Sequence, residues 1–124
     1  MNVAEIAVLI LGLAHVGAMS AEVFDTTGLA RRIAKIDIPA IQGSFPRAAD
    51  GIAALVKNQG VYNGFLAVGL LLSLFQGPEA ARQTQLYLSV CVAVAGVFGA
   101  VTVNKILFVQ AALGVVTFAL VFAA

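Results

Sequence analysis

The residues of this chain best suited to chemistry are polar groups set inside apolar runs. His15 and Glu22 stand seven positions apart in the first apolar block. On a helix that spacing is two turns along one face and about 10.5 Å of rise, so the two line one stripe without bonding each other directly. A carboxyl held away from bulk water suits proton exchange or general acid chemistry, and an imidazole on the same stripe suits a neutral partner or relay. A second set, Asn58, Gln59, Tyr62 and Asn63, is spaced by three and four residues, which gathers it on a helical arc of about 140°. Such amides and a phenol could orient a carbonyl, a hydroxyl or a similar polar head. Gln110 adds one more amide in the last apolar block, after Thr102, Asn104 and Lys105.

Every one of these groups also has a plainer role. Polar side chains near helix ends cost little, and interhelical hydrogen bonds often only hold a bundle together. That reading weighs most on Asn58, Gln59, Thr102, Asn104 and Lys105, and least on His15, Asn63 and Glu22. Glu79 and Arg82 read as solvation of a turn, Gln83, Gln85 and Tyr87 as the interfacial start of a helix, and Phe65, Phe98 and Phe118 as packing.

The elements that must position these groups follow from composition. Of 124 residues, 61% are hydrophobic and 10% charged, against about 45–50% and about 25% in soluble domains. Lipid is the expected solvent. The expected fold class is all-α, a polytopic membrane protein built as a single four-transmembrane-helix bundle, with spans at about 6–24, 52–75, 83–103 and 106–123. Asp25-Thr26-Thr27-Gly28 closes the first span, Asp50 is the expected N-cap of the second block, and Gly77-Pro78 ends it. From Leu86 to Ala124 the chain is nearly all apolar. As one helix that stretch would be about 58 Å long, so it must turn back, and Asn104-Lys105 is the place. The loop at about 25–50 carries most of the charge, and residues 29–36 could lie on the headgroups as a short amphipathic helix. Ala18-Met19-Ser20-Ala21 has the small residues of a signal cleavage site, but no basic segment precedes the first block, which is therefore expected to stay as a span.

Arg31, Arg32, Lys35, Arg47 and Lys57 flank the first loop and Lys105 marks the third, against Arg82 alone at the second. The positive-inside rule then puts both termini outside the cytosol, and the polar residues of all four spans in its half of the bilayer. Gly60 with Gly64, Ala95 with Gly99, and Gly96 with Ala100 have the spacing that lets helices approach closely, within the bundle or across a dimer. A net charge of +1 gives no stripe for nucleic acid. The single cysteine, Cys91, reads as a small buried hydrophobe. With no CxxC, G-x-S-x-G, Walker loop or histidine cluster in the sequence, no cofactor and no metal is expected.

The run Asn58-Gln59-Gly60-Val61-Tyr62-Asn63-Gly64-Phe65-Leu66-Ala67 resembles the signature of a bacterial family of small membrane proteins known as domain of unknown function 1304. The likeness extends to His15 followed by Glu22, and to Ala95–Ala100 leading into Lys105-Ile106-Leu107-Phe108-Val109-Gln110. It implies four spans in a bacterial inner membrane and adds weight to His15, Glu22, Asn58, Gln59, Tyr62, Asn63 and Gln110, while naming no activity.

The functional expectation is an intramembrane polar pocket near the cytosolic side that binds a small lipophilic or amphipathic molecule. Glu22 and His15 are the candidate catalytic pair, and Asn58, Gln59, Tyr62, Asn63 and Gln110 the candidate substrate-binding groups. Isomerase or cyclase chemistry needs only such groups in a dry cavity. Two alternatives stand beside it: a homodimeric proton-coupled transporter, and an assembly subunit whose polar face pairs with another membrane protein.

Overall fold

The computed structural model describes residues 1–25 and 47–124, with side chains from residue 52 onward in the second stretch. The headgroup helix expected over residues 29–36, and the loop around it up to residue 46, lie outside the described residues. Among the described residues four α-helices follow in order: α1 (Val3–Phe24), α2 (Arg47–Ser73), α3 (Pro78–Thr102) and α4 (Phe108–Ala123), with a 3-10 turn at Lys105–Leu107 between the last two. No strand occurs among the described residues.

Local chemistry sets the helix ends. Asn2 and Glu5 cap α1 reciprocally: the Glu5 N–H donates to Asn2 Oδ1 at 2.9 Å and the Asn2 N–H donates to Glu5 Oε2 at 2.8 Å. Asp50 is the fourth residue of α2, since that helix begins at Arg47. The expectation of Asp50 as N-cap is corrected here, for acidic residues favour both the cap and the first turn and composition does not separate the two. Past Ser73 the chain tightens, with the N–H groups of Leu74, Phe75 and Gln76 donating to carbonyls three residues back. Gly77 is then extended, at φ −62° and ψ 154°, and Pro78 opens α3 where its missing N–H costs nothing. The turn back after α3 falls at Asn104: the Val103 and Asn104 N–H groups donate to the Gly99 carbonyl at 2.8 and 3.1 Å, and Asn104 Oδ1 accepts from the Ile106 N–H at 2.9 Å.

Among the described residues three helical stretches are long and apolar enough to cross a membrane: Val3–Phe24, Pro78–Thr102 and Lys105–Ala123, with mean hydropathies of 1.9, 1.8 and 2.4. At 27 residues α2 has the length, but Lys57, Asn58, Gln59 and Asn63 interrupt its apolar run.

The chain divides into two compact units, residues 1–14 with 66–124, and residues 15–65. In the first, Val8, Leu11, Leu70, Val92 and Val121 form a small core. Glycines set its helix contacts. A Cβ on Gly96 would meet the Ala111 backbone, and one on Gly114 would lie 2.6 Å from the Ala93 nitrogen and 2.8 Å from the Ser89 carbonyl oxygen. In the second unit α2 runs antiparallel to α1, with Gly60 against Glu22 and Val23 and Gly64 against Met19.

Polarity is distributed inside out. The buried set includes His15, Asn63, Ser73, Gln85, Ser89 and Thr117, while Phe65, Phe75, Val94, Phe98, Val101 and Phe122 are exposed. Soluble monomers rarely leave such contiguous apolar surface uncovered, whereas in lipid it is the stable arrangement. Phe65 and Phe98, expected as packing, face outward for this reason, while Phe118 stacks on Phe122 at a centroid distance of 5.9 Å. Buried hydroxyls satisfy themselves locally: Ser73 Oγ donates to the Leu70 carbonyl at 2.6 Å and Ser89 Oγ to that of Gln85 at 2.7 Å.

Candidate functional site

The candidate residues of the second unit sit where α1 and α2 are drawn together by Gly60 and Gly64. A Cβ on Gly60 would come within 2.7 Å of Val23 Cγ2 and 2.9 Å of Glu22 Cβ, and one on Gly64 within 2.9 Å of Met19 Sδ. With no side chains on that strip of α2, the next residue round the helix, Asn63, reaches α1. Its Nδ2 donates to Glu22 Oε2 at 2.6 Å, across a sequence separation of 41. Asn63 is buried, 8% exposed, and Glu22 is half-buried.

His15 is also buried, 4% exposed, two turns before Glu22 on α1. About 10.5 Å of rise separates the two backbone positions along the helix.

The other members of the polar arc point elsewhere. Asn58, Gln59 and Tyr62 are exposed, and Tyr62 meets Phe65 edge to face at 6.1 Å. The arc expected as one face is therefore split: Asn63 turns inward to Glu22, while Asn58 and Tyr62, one turn apart, lie on an outward stripe with Phe65. Close approach explains the division, because the surface of α2 that meets α1 here is centred on Gly60, Asn63 and Gly64, all buried, and the arc only overlaps its edge. Gln110 lies in α4, half-buried, and belongs to the first unit, as do Thr102, Asn104 and Lys105. Thr102 Oγ1 donates to the Phe98 carbonyl at 2.8 Å, and Asn104 caps the turn.

The energies separate a structural from a chemical reading of the Glu22–Asn63 pair. Interhelical hydrogen bonds in membranes average about 0.6 kcal/mol and reach about 1.7, whereas an acidic side chain at mid-bilayer costs about 2.5–3.5 kcal/mol by insertion scales, and less toward an interface. An apolar pair would hold these two helices at least as firmly. Glu22 stands two residues from the end of α1, toward the low end of that cost, and remains a candidate for exchange or binding as well as a helix contact.

Residues 9–122 match the family described as protein of unknown function (DUF1304). The chain belongs to that family. No curated protein and no solved structure matches it. Membership in DUF1304 covers nearly all of the described helices and attaches no reaction or cargo to them.

Sequence reasoning singled out Glu22, His15 and Asn63, and it passed over a second group. Gln85, read as an interfacial residue, is buried at 7% exposed. It lies on the buried stripe Gln85, Ser89, Val92, Gly96, Ala100 of α3. That spacing of three and four is visible in the sequence and would have placed it inside. Arg82, expected only to solvate a turn, donates from its guanidinium to the Phe122 carbonyl at 3.2 Å and sits 5.7 Å from the centre of the Phe122 ring.

Proposed function

We propose that this DUF1304 member is an integral membrane protein with four crossings that offers a carboxyl-centred acid–base site to a small lipophilic or amphipathic molecule. The observation that carries this reading is the 2.6 Å hydrogen bond from Asn63 to Glu22 between two helices. It fixes the carboxyl's orientation, which a proton donor or acceptor needs before its reactivity can be directed at one atom. Glu22 is the exchanging group, Asn63 positions it, and His15 serves as a neutral partner or relay. Asn58, Gln59 and Tyr62 offer donors and acceptors for a polar head arriving from the surrounding bilayer. Isomerisation or cyclisation by proton transfer is the reaction type, and no cofactor is required. The membrane is the bacterial inner membrane, with both termini on its non-cytosolic side.

A second reading, a homodimeric proton-coupled transporter, draws support from the outward stripe. Asn58, Gln59 and Tyr62 are exposed, and polar groups at membrane depth call for cover, which a second copy would supply.

The test is ligand retention: wild type and Glu22→Gln are extracted in mild detergent and the co-purifying small molecules compared by mass spectrometry. A lipophilic compound held by wild type and lost or chemically altered in the variant supports the site. Identical profiles would sink Glu22 as a functional centre and leave the pair a helix contact.

A further inference from the structure

A separate cleft of about 300 Å³ lies entirely within the first unit, among the start of α1, the turn after α2, the start of α3 and the end of α4. Its polar lining is Asn2, Glu5, Ser73, Gln76, Arg82 and Gln85. None of these groups takes part in the Glu22 site.

Three observations point to a ligand. Gln85 is more than nine-tenths buried and lines the cleft, yet its side-chain amide makes no hydrogen bond among the described residues. No fully buried side-chain polar atom among the described residues lacks a partner, so the Gln85 amide opens on the cleft, and that is where its partner belongs. The charged side chains of the lining are of both signs, Glu5 and Arg82, beside the last residue, Ala124. Glu5 Oε2 accepts from the Asn2 N–H and lies 3.8 Å from the Met1 amino group, so this carboxylate already holds an ammonium nearby. Arg82 spends one donor on the Phe122 carbonyl, and a guanidinium has five. Finally, the neutral groups offer both senses of hydrogen bond: Gln76 Oε1 accepts from Thr84 Oγ1 at 3.1 Å, leaving its amide N–H groups, and the Gln85 amide both donates and accepts.

A ligand of single charge would face its like at one wall. We propose that this cleft binds a zwitterion carrying a primary ammonium and a phosphate, a phosphoethanolamine group. The phosphate pairs with Arg82, whose planar fork suits phosphate oxygens. The ammonium donates to Glu5 and to the Gln85 carbonyl oxygen. Two sources share this chemistry, a phosphatidylethanolamine headgroup and free phosphoethanolamine.

The test uses the full chain in nanodiscs of equal phosphatidylethanolamine and phosphatidylcholine, read by native mass spectrometry, and in detergent, read by thermal melting with free phosphoethanolamine or phosphocholine. Choline presents no N–H, so it is the discriminating control. For the lipid source, wild type retains phosphatidylethanolamine about tenfold over phosphatidylcholine, the ratio expected from about 1.4 kcal/mol of charge-assisted hydrogen bonding. Arg82→Gln and Gln85→Met both return that ratio to the bulk value while helix content and elution volume stay unchanged. For the soluble source, the lipid ratio is flat but free phosphoethanolamine, and not phosphocholine, raises the melting temperature in wild type and in neither variant. A flat lipid ratio with no melting shift overturns the proposal, as does a preference that survives in both variants.

Discussion

The α3–α4 hairpin and the α1–α2 pair of the second unit are both closed by glycines, yet they hold different things. Gly96 and Gly114 bring backbone against backbone, at Ala111 on one side and at Ala93 and Ser89 on the other. These glycine contacts involve no ionisable side chain, and the hairpin's charged contact, Arg82 to the Phe122 carbonyl, lies at its other end. Gly60 and Gly64 instead meet side chains, those of Val23, Glu22 and Met19, and the same approach seats the Asn63 amide on a carboxyl. Close packing in the hairpin joins backbone to backbone, while in the α1–α2 pair it seats an amide on a carboxyl. The two regions should therefore answer substitution in opposite ways.

The largest expected effect lies in the hairpin. Gly96→Val puts its Cβ against the Ala111 backbone, which no rotamer change relieves, and should cost about 3 kcal/mol or more, the upper part of the overpacking range. Equilibrium unfolding in mixed micelles measures it, and a cost below about 1 kcal/mol would mean that the helices separate freely there. Asn63→Ala comes next. It strips Glu22 of its amide donor and should cost about 1–2 kcal/mol, whereas Glu22→Gln, which keeps an oxygen for that donor, should cost less than half as much. Equal costs for the two would remove the hydrogen bond as the reason for the pair. Gly64→Ala is milder, since the Met19 thioether it meets at 2.9 Å can swing aside. A loss under about 1 kcal/mol is expected, and a Gly96-sized loss would abolish the contrast between the regions. Tyr62→Phe, on the exposed stripe, should leave stability within about 0.5 kcal/mol while reducing whatever lipophilic ligand wild type retains. A variant that unfolds early but keeps the ligand would reverse the roles assigned to the stripe.

These contrasts also mark what could be read from the chain alone. The spacing Gly60-xxx-Gly64 and Gly96-xxx-Ala100 announced close approach, and Asn104-Lys105 announced the turn, because small residues and breakers act through the backbone and need little context. His15 and Asn63 could be chosen as buried for a similar reason, since a polar residue deep in an apolar run has few places to go. The split of the Asn58–Asn63 arc was not legible, because which side of a helix meets its neighbour depends on both helices. Gly114 and Gln85 were missed although each has a visible cause: Gly114 lies opposite Ser89 and Ala93 across the hairpin, and Gln85 heads the stripe that continues through Ser89. The outward Phe65 and Phe98 show the remaining difficulty, as a phenylalanine fits a protein core and lipid equally well.

The short turn at Asn104 carries a consequence for how the protein is made. Only Val103 to Leu107 separate α3 from α4, and those residues include a single charge, Lys105. With so few residues between them, two helices that both enter a bilayer would do so as one hairpin rather than in turn. Its orientation would then weigh Lys105 at the turn against Arg82 near the start of α3, and Lys105→Glu is the smallest edit that would ask the nascent chain to choose again.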